Sequence, residues 1–373
     1  SNTVSRQKKQ KKERFLMKVP AFNVSELKVV STQPARLGRG EDIPLYDFPV
    51  TPKEAYLAAM NRKPVWQLTN VETRMLSPRA NPDNVARAFA FEDTRMPPEE
   101  GGGKDMFGIS WVYVPVAGGS MVKPGAPLLK DANEWVDKLV WPDLDSWNWE
   151  DSANNLTLKP NVYNVPTVLN GWFERLISFM DFDNAAMAMI DDDQKDAVKA
   201  IFDKMTDVYI ELVDKYLENF PGIDGFNFHD DWGAQKDTFF SPATCSEMIV
   251  PAMRRLTDHI HSKGMFADFH CCGKSEKQVP NMIAAGWDSW AGQPMNDTQM
   301  LYEKYGDQIV LGVLPDPVDP EASEAEQREA AAKFVEKFCQ PDKPCTINNT
   351  FLATMTPAYR EELYKLSRIK FGA

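Results

Sequence analysis

From about residue 165 onward the apolar and polar positions switch between two periods. Short apolar runs read as strands: "PTVLNG" (166–171), "IDGFNFHDD" (223–231), "MFADFHCCG" (265–273), "WDSWAG" (287–292), "QIVLGVL" (308–314) and "PCTINN" (344–349). Between and after them lie segments with helical spacing, from "DDDQKDAVKAIFDKMTDVYIELVDKYLENF" (191–220), acidic at its start, to "TPAYREELYKLSRI" (356–369). The segment 241–264 reads as a helix interrupted near Pro251. Upstream, "TPKEAYLAAMNRK" (51–63) reads as a helix with Thr51 as cap, Pro52 at its first position and Glu54 in its first turn. "PVWQLTN" (64–70) reads as a strand, "RANPDNVARAFAFED" (79–93) as a short helix, and "ISWVYVPVAGG" (109–119) as a strand or hairpin arm. Strand–helix alternation implies a parallel sheet. Eight strand candidates, with no dinucleotide glycine fingerprint after the first, favour an α/β fold of the (β/α)8 TIM type over an open doubly wound sheet. The expected organisation is a basic N-terminal extension over 1–50 and the barrel over 51–373.

Composition narrows the function classes. A chain of 373 residues with 43% hydrophobic and 26% charged residues suits two domains or one large barrel, and 10 Trp with 21 Phe allow a large core. The net charge of -12 argues against a nucleic-acid partner. The basic run "SRQKKQKKER" near the start reads as a solvated tail. No apolar run reaches the roughly 18 residues of a membrane span and no secretory pattern is seen, so no membrane and a cytoplasmic location are expected. The five cysteines form no disulfide framework and read as free thiols or ligands. The glycine-rich "EEGGGKDMFG" is not a phosphate loop, because no Gly-Lys-Ser/Thr follows.

In a (β/α)8 barrel the chemistry sits at the C-terminal strand ends. Those ends carry Asn70; Asn170 with Glu174 and Arg175; His229, Asp230 and Asp231; His270 and Cys272; Gln293; Asp316; then Cys345 and Asn348. In "FADFHCCGKSE" the His-x-Cys pair puts His270 and Cys272 on one side of the pleat, within reach of one ion, while Cys271 faces the other way. The other reading is a core histidine beside buried thiols; the redox motif Cys-x-x-Cys is absent. Zinc needs a third ligand, and Cys345 is a candidate. In "FHDDWGAQ" one acid either caps a helix or turn, or serves substrate binding, acid/base chemistry or a fourth metal position. Glu174 and Arg175 are open to the same choice between an ion pair and function. Trp111, Trp172, Phe228, Trp232 and Trp290 line an apolar pocket or pack the core.

The succession "NGWFERLISFMDFDNAAMAMIDDD", "IDGFNFHDDWGAQKDTFFSP", "MFADFHCCG" and "AAGWDSWAGQPMND" resembles the uroporphyrinogen decarboxylase superfamily, from about residue 50 to the C-terminus and most strongly over 165–315. Its haem-pathway decarboxylases carry an "RQAGR"-type segment at the first strand; this chain has "WQLTNVETRML" with Arg74 alone. Its other members are cobalamin-dependent methyltransferases with a zinc site of His-x-Cys and a distant Cys. The resemblance implies a zinc-dependent methyltransferase with metal ligands His270, Cys272 and Cys345. It further implies methylcobalamin or another corrinoid carried by a partner protein, and a thiol or methoxylated substrate, O-demethylation of a methoxyarene included. Asp231, Glu174 and Asp230 are the expected catalytic residues. Asn70, Trp172, Arg175, His229, Gln235, Gln293 and Asn348 are the expected substrate contacts, and a homodimer is admitted. The alternatives are a metal-free carboxy-lyase and an inactive barrel that binds a small molecule or corrinoid.

Overall fold

The helix-start signals fall where the sequence puts them. This computed structural model describes residues 18–34, 42–117, 119–319 and 321–372. Thr51 caps the helix Pro52–Met60: its Oγ1 accepts from Glu54 N–H at 3.2 Å, and Glu54 Oε2 accepts from Thr51 N–H at 2.8 Å. Ser323 and Glu326 repeat this box ahead of Glu324–Phe338, and Thr356 caps Pro357–Phe371. The long amphipathic segment forms Lys195–Asn219. The expected interruption near Pro251 is present, because Pro242–Met248 and Val250–Ser262 meet at Ile249. The basic run "SRQKKQKKER" lies outside the described residues. Among the described residues no helix is long and apolar enough to cross a membrane.

The chain divides into two units. One comprises Met75–Lys159 and Asn164–Asp288. Its parallel strands are Tyr163–Val168 (from Asn164 on), Gly225–His229 and Phe266–His270. The helices Trp172–Met180 and Lys195–Asn219 intervene between the first two strands, and Pro242–Met248 and Val250–Ser262 between the second two. Phe226, Phe228, Ala267 and Phe269 are buried, and aromatic packing continues through Trp232–Phe269 (4.8 Å between centroids) and Phe269–Trp287 (5.0 Å). Trp172, Phe228 and Trp232 are thus core residues, not the lining of an open pocket. The "ISWVYVP" strand is real, at Ser110–Val114, but it pairs antiparallel with Gly102–Lys104 and Gly119–Val122. Short connections through Asp105–Gly108 and Pro115–Ala117 allow only this hairpin geometry, since a parallel crossover needs a dozen or so residues.

The other unit comprises Ser1–Arg74, Pro160–Tyr163 and Ser289–Ala373 in its described parts. Ser289–Trp290, Val310–Val313 and Cys345–Ile347 run parallel, with Trp290 beside Leu311 and Leu311 beside Cys345. Thr298–Tyr305 and Glu324–Phe338 alternate with them. Each unit therefore carries parallel strands alternating with helices, the α/β arrangement that the periodicity predicts. "PVWQLTN" is not a strand; the nearest one is Thr73–Leu76. Its backbone bonds elsewhere, Gln67 N–H donating to Ser367 Oγ (2.9 Å), and the Trp66 side chain donates from Nε1 to Glu72 Oε1 (2.7 Å). The apolar run is buried by Phe48 stacked on Trp66 at 4.8 Å and by Tyr364, so burial without strand pairing produced the strand-like pattern.

A buried ion pair fastens residues 23–28 to the last helix of this unit. Glu26 accepts from Arg368 Nε and Nη2 (both 2.9 Å) and from Tyr364 OH (2.7 Å). Burial works against the carboxylate charge, but the Arg368 and Tyr364 bonds outweigh it and hold the Glu26 pKa below the usual 4.5. A depressed folded pKa contributes stability that is full above the ordinary glutamate value and is lost as pH falls through the folded value. A Glu26→Gln variant is therefore expected to be less stable near neutral pH, with the gap to wild type closing as pH falls below the ordinary glutamate range. Urea midpoints across that range measure it; a gap independent of pH would rule out this linkage.

Candidate metal centre

Two strand ends build the site. Gly225–His229 and Phe266–His270 lie in parallel register, with His229 beside His270. Both continue in the same manner, as "FHDD" and "FHCC". Residues two apart share a face of the extended chain, so Asp231 and Cys272 follow the two histidines to the same side. The ligand atoms of His229, Asp231, His270 and Cys272 all lie within 4.8 Å of one another. The imidazoles stack at 4.8 Å with 14° between planes. His270 Nε2 is 3.3 Å from Cys272 Sγ, and His229 Nε2 is 3.5 Å from Asp231 Oδ1. Tetrahedral bonds of about 2.0–2.3 Å give donor–donor edges of roughly 3.3–3.6 Å, which the pair at each strand end matches, and the full set, within 4.8 Å, would hold one small cation after a modest contraction.

The alternate residues turn inward. Cys271 is buried, with its sulfur 3.3 Å from Ser275 Oγ. Asp230 is fully buried and accepts from Phe173 N–H (3.2 Å), Glu174 N–H (2.9 Å) and Trp232 Nε1 (2.9 Å). It caps the start of Trp172–Met180, where Gly171 lets it approach: a Cβ on Gly171 would lie 2.4 Å from Asp230 Cβ. The two loops then close on each other, with Lys274 N–H donating to Ala234 O at 2.8 Å and Cys272 N–H to Asp231 Oδ1 at 2.7 Å. Gly273 has φ +81°, and a Cβ there would meet Gly233 O at 2.1 Å.

Glu174 stands behind His229, its Oε2 2.5 Å from Nδ1. A histidine that gives Nδ1–H to a carboxylate presents the Nε2 lone pair outward, the arrangement of metal-bound imidazoles. Burial disfavours the Glu174 charge, yet His229 and Arg87 prevail and bring its carboxyl to about 2. Burial likewise disfavours the His229 imidazolium, but Glu174 dominates and pushes its pKa up to about 10. Burial and the Glu174 charge raise Asp231, and they raise Asp230 to about 7. Burial raises the Cys272 thiol, opposed by its bond to His229. The charge on His229 thus sits between Glu174 and Asp231, a role that a divalent cation at the four donors would take over with more charge.

The expected site residues separate into groups. His229, Asp231, His270, Cys272 and Glu174 come together. Asp230 is the helix cap rather than a group facing the cluster. Arg175, expected at substrate, is fully buried between Asp83 and Asp105 (2.7 Å), and Trp172 is buried with Nε1 on Thr206 Oγ1 (3.0 Å). Gln235 is exposed on the loop after Asp231. Asn70, Gln293, Asn348 and Cys345 belong to the other unit. There Asn70 Oδ1 accepts from Arg360 (3.4 Å), Asn348 caps Asn349–Leu352, and Gln293 is half-buried. Cys345 is buried among Phe338, Ile347 and Tyr359, its sulfur 3.6 Å from Gln67 Oε1. The four donors His229, Asp231, His270 and Cys272 all belong to the first unit. Arg87, which pairs with Glu174 at 3.1 Å, carries no local sequence signal. His229 and Asp231 do carry one as donors, because "FHDD" repeats the pattern of "FHCC".

Neither a family model nor a curated protein matches this chain. Among solved structures it is similar to a methyltransferase from Methanosarcina mazei, with a TM-score of 0.56 and 16% identity over 87% of this chain and 100% of that one. A weaker match is a B12-independent methionine synthase from Shewanella sp. W3-18-1, with a TM-score of 0.34 and 13% identity over 60% of this chain and 64% of the other. The first of these shows that the chain shares the methyltransferase's α/β fold.

Proposed function

We propose that this chain is a methyltransferase that moves a methyl group between a corrinoid carried by a partner protein and a small thiol or methoxylated compound, with zinc at His229, Asp231, His270 and Cys272. The observation that carries the reading is the convergence of these four donors from two strands in register. The fold likeness to a methyltransferase and the resemblance of the sequence supply the reaction class. Bound there, zinc would hold a substrate thiol as thiolate at neutral pH or polarise a methoxy oxygen. Glu174 keeps the His229 ring turned so that Nε2 faces the ion. Asp231, whose side chain is 30% exposed against 13% for His229, accepts from Cys272 N–H at 2.7 Å, and this bond would hold its carboxylate at the edge of the cluster. Cys271 and Asp230, facing away, hold the strand ends in place.

The test combines metal analysis with turnover. Purified protein is expected to carry about one zinc per chain and to move methyl groups between free cobalamin and a thiol or methoxyarene. A Cys345→Ser variant is expected to keep its zinc; loss of the ion would restore Cys345 as a ligand. Zinc-free protein that turns over uroporphyrinogen would replace this reading by the carboxy-lyase one.

A further inference from the structure

We propose that Arg87 is a positioning residue for the metal centre, acting through Glu174 on the orientation of the His229 ring. The inference rests on the metal reading above and concerns a residue outside the donor set. Arg87 closes the short helix Pro82–Ala86. Its Nη1 donates to Asn170 Oδ1 at 2.5 Å and to Glu174 Oε1 at 3.1 Å, and its guanidinium lies over the Trp111 ring at 5.2 Å. Glu174 spends one oxygen on Arg87 and the other on His229, so fixing the first fixes the second.

The Asn170 amide is itself oriented. Its Nδ2 donates to Asp83 Oδ2 at 3.0 Å, and the Arg87 guanidinium only donates, so Oδ1 must face Arg87. The Asn170 backbone is left-handed (φ 58°), and its carbonyl accepts from Tyr209 OH at 2.5 Å. Asp83 is held by Arg175 and accepts from Met106 N–H at 3.1 Å. Asp83 and Arg87 are spaced i, i+4, on one face of the same turn of chain. The acid anchors that turn in the fully buried Asp83–Arg175–Asp105 cluster, and the base carries the constraint outward. A continuous run of hydrogen bonds thus leads from an immobile ion cluster through Asn170, Arg87 and Glu174 to His229. The side chains of Arg87 and Glu174 are 18% and 12% exposed, so water competes little for these contacts.

Equilibrium zinc competition with a chromophoric chelator, and absorption spectra of the cobalt(II)-loaded protein, test this on Arg87→Met, Arg87→Lys, Glu174→Gln and the Met/Gln double variant. Arg87→Met is expected to weaken zinc binding by up to about 10-fold, less than the roughly 10–100-fold that follows loss of a ligand's direct partner such as Glu174. The visible cobalt bands should shift while the near-ultraviolet thiolate band of Cys272 stays. Arg87→Lys should recover part of the affinity, because an ammonium keeps the charge opposite Glu174 but sits on a shorter stem and lacks the planar guanidinium that rests over Trp111. The double variant should bind no worse than Glu174→Gln alone, as for residues acting in series. Unchanged affinity and spectrum in Arg87→Met, or losses that add in the double variant, would overturn the inference and leave the zinc site standing. Wild-type protein that takes up no zinc would remove the zinc site and this inference together. If Arg87→Met does not fold, the same comparison between wild type and Arg87→Lys decides, with wild-type affinity in Arg87→Lys counting against.

Discussion

Replacing Cys272 by Ser is expected to strip the protein of zinc and abolish methyl transfer, while Cys271→Ser keeps both. The two cysteines are neighbours in sequence and opposites in space. Cys272 shares its face with His270, 3.3 Å away, and faces His229 and Asp231 from the adjoining strand. Cys271 is sealed in beside Ser275 on the opposite face of the chain, away from the four donors, so its sulfur is not placed to reach a metal held there. A serine at 272 offers a hydroxyl that stays protonated at neutral pH and binds zinc poorly. The loss should exceed the roughly 10–100-fold caused by removing an outer partner. Chelator competition measures it directly, and turnover with free cobalamin follows it. Equal zinc contents in the two serine variants would exclude the proposed donor set.

Arg175→Met is expected to destabilise the protein by about 3–5 kcal/mol, the range found when one member of a buried ion cluster is removed. Arg175 is fully buried, bonded to Asp83 and to Asp105 (2.7 Å), and packed against Phe107 with its guanidinium 5.0 Å from the ring. Methionine fills much of the volume but leaves two buried carboxylates facing each other. Asp105 keeps the N–H groups of Phe107 and Ile109 (both 2.9 Å) and Trp111 Nε1 (2.9 Å), and Asp83 keeps Met106 N–H and the Asn170 amide. These bonds do not replace a full positive charge. One acid must then bind a proton, so the deficit should deepen as pH rises. Urea unfolding at two pH values measures both effects. A loss below about 1 kcal/mol, typical of an exposed pair, would show that the cluster does not hold the unit together.

The sequence speaks most clearly where a structure is set by neighbours in the chain. The Thr51–Glu54 box, the Pro251 interruption and the shared face of His270 and Cys272 all depend on residues close together in the chain. Apolar content misleads at "PVWQLTN", where Phe48 and Tyr364 bury the segment without giving it a strand partner. Arg175 looks like a substrate group because its acids stand 92 and 70 residues away, and nothing in "WFER" announces them. Arg87 is silent for the same reason, being 87 residues from Glu174. The adjacent acids of "FHDD" admit either a cap or chemistry. The pleat assigns one to each, Asp230 to the helix start and Asp231 to the cluster with His229, His270 and Cys272.

The contact between Gly233 and Gly273 bears on how this site can change over generations. Each glycine sits just beyond one His-x-donor pair, and the carbonyl of the first occupies the space where a Cβ of the second would go. A larger residue at 273 would shift the loop of Asp231 as well as that of Cys272. The two loops can therefore drift in sequence only in step, and a relative that lost either glycine should show compensating changes across both loops.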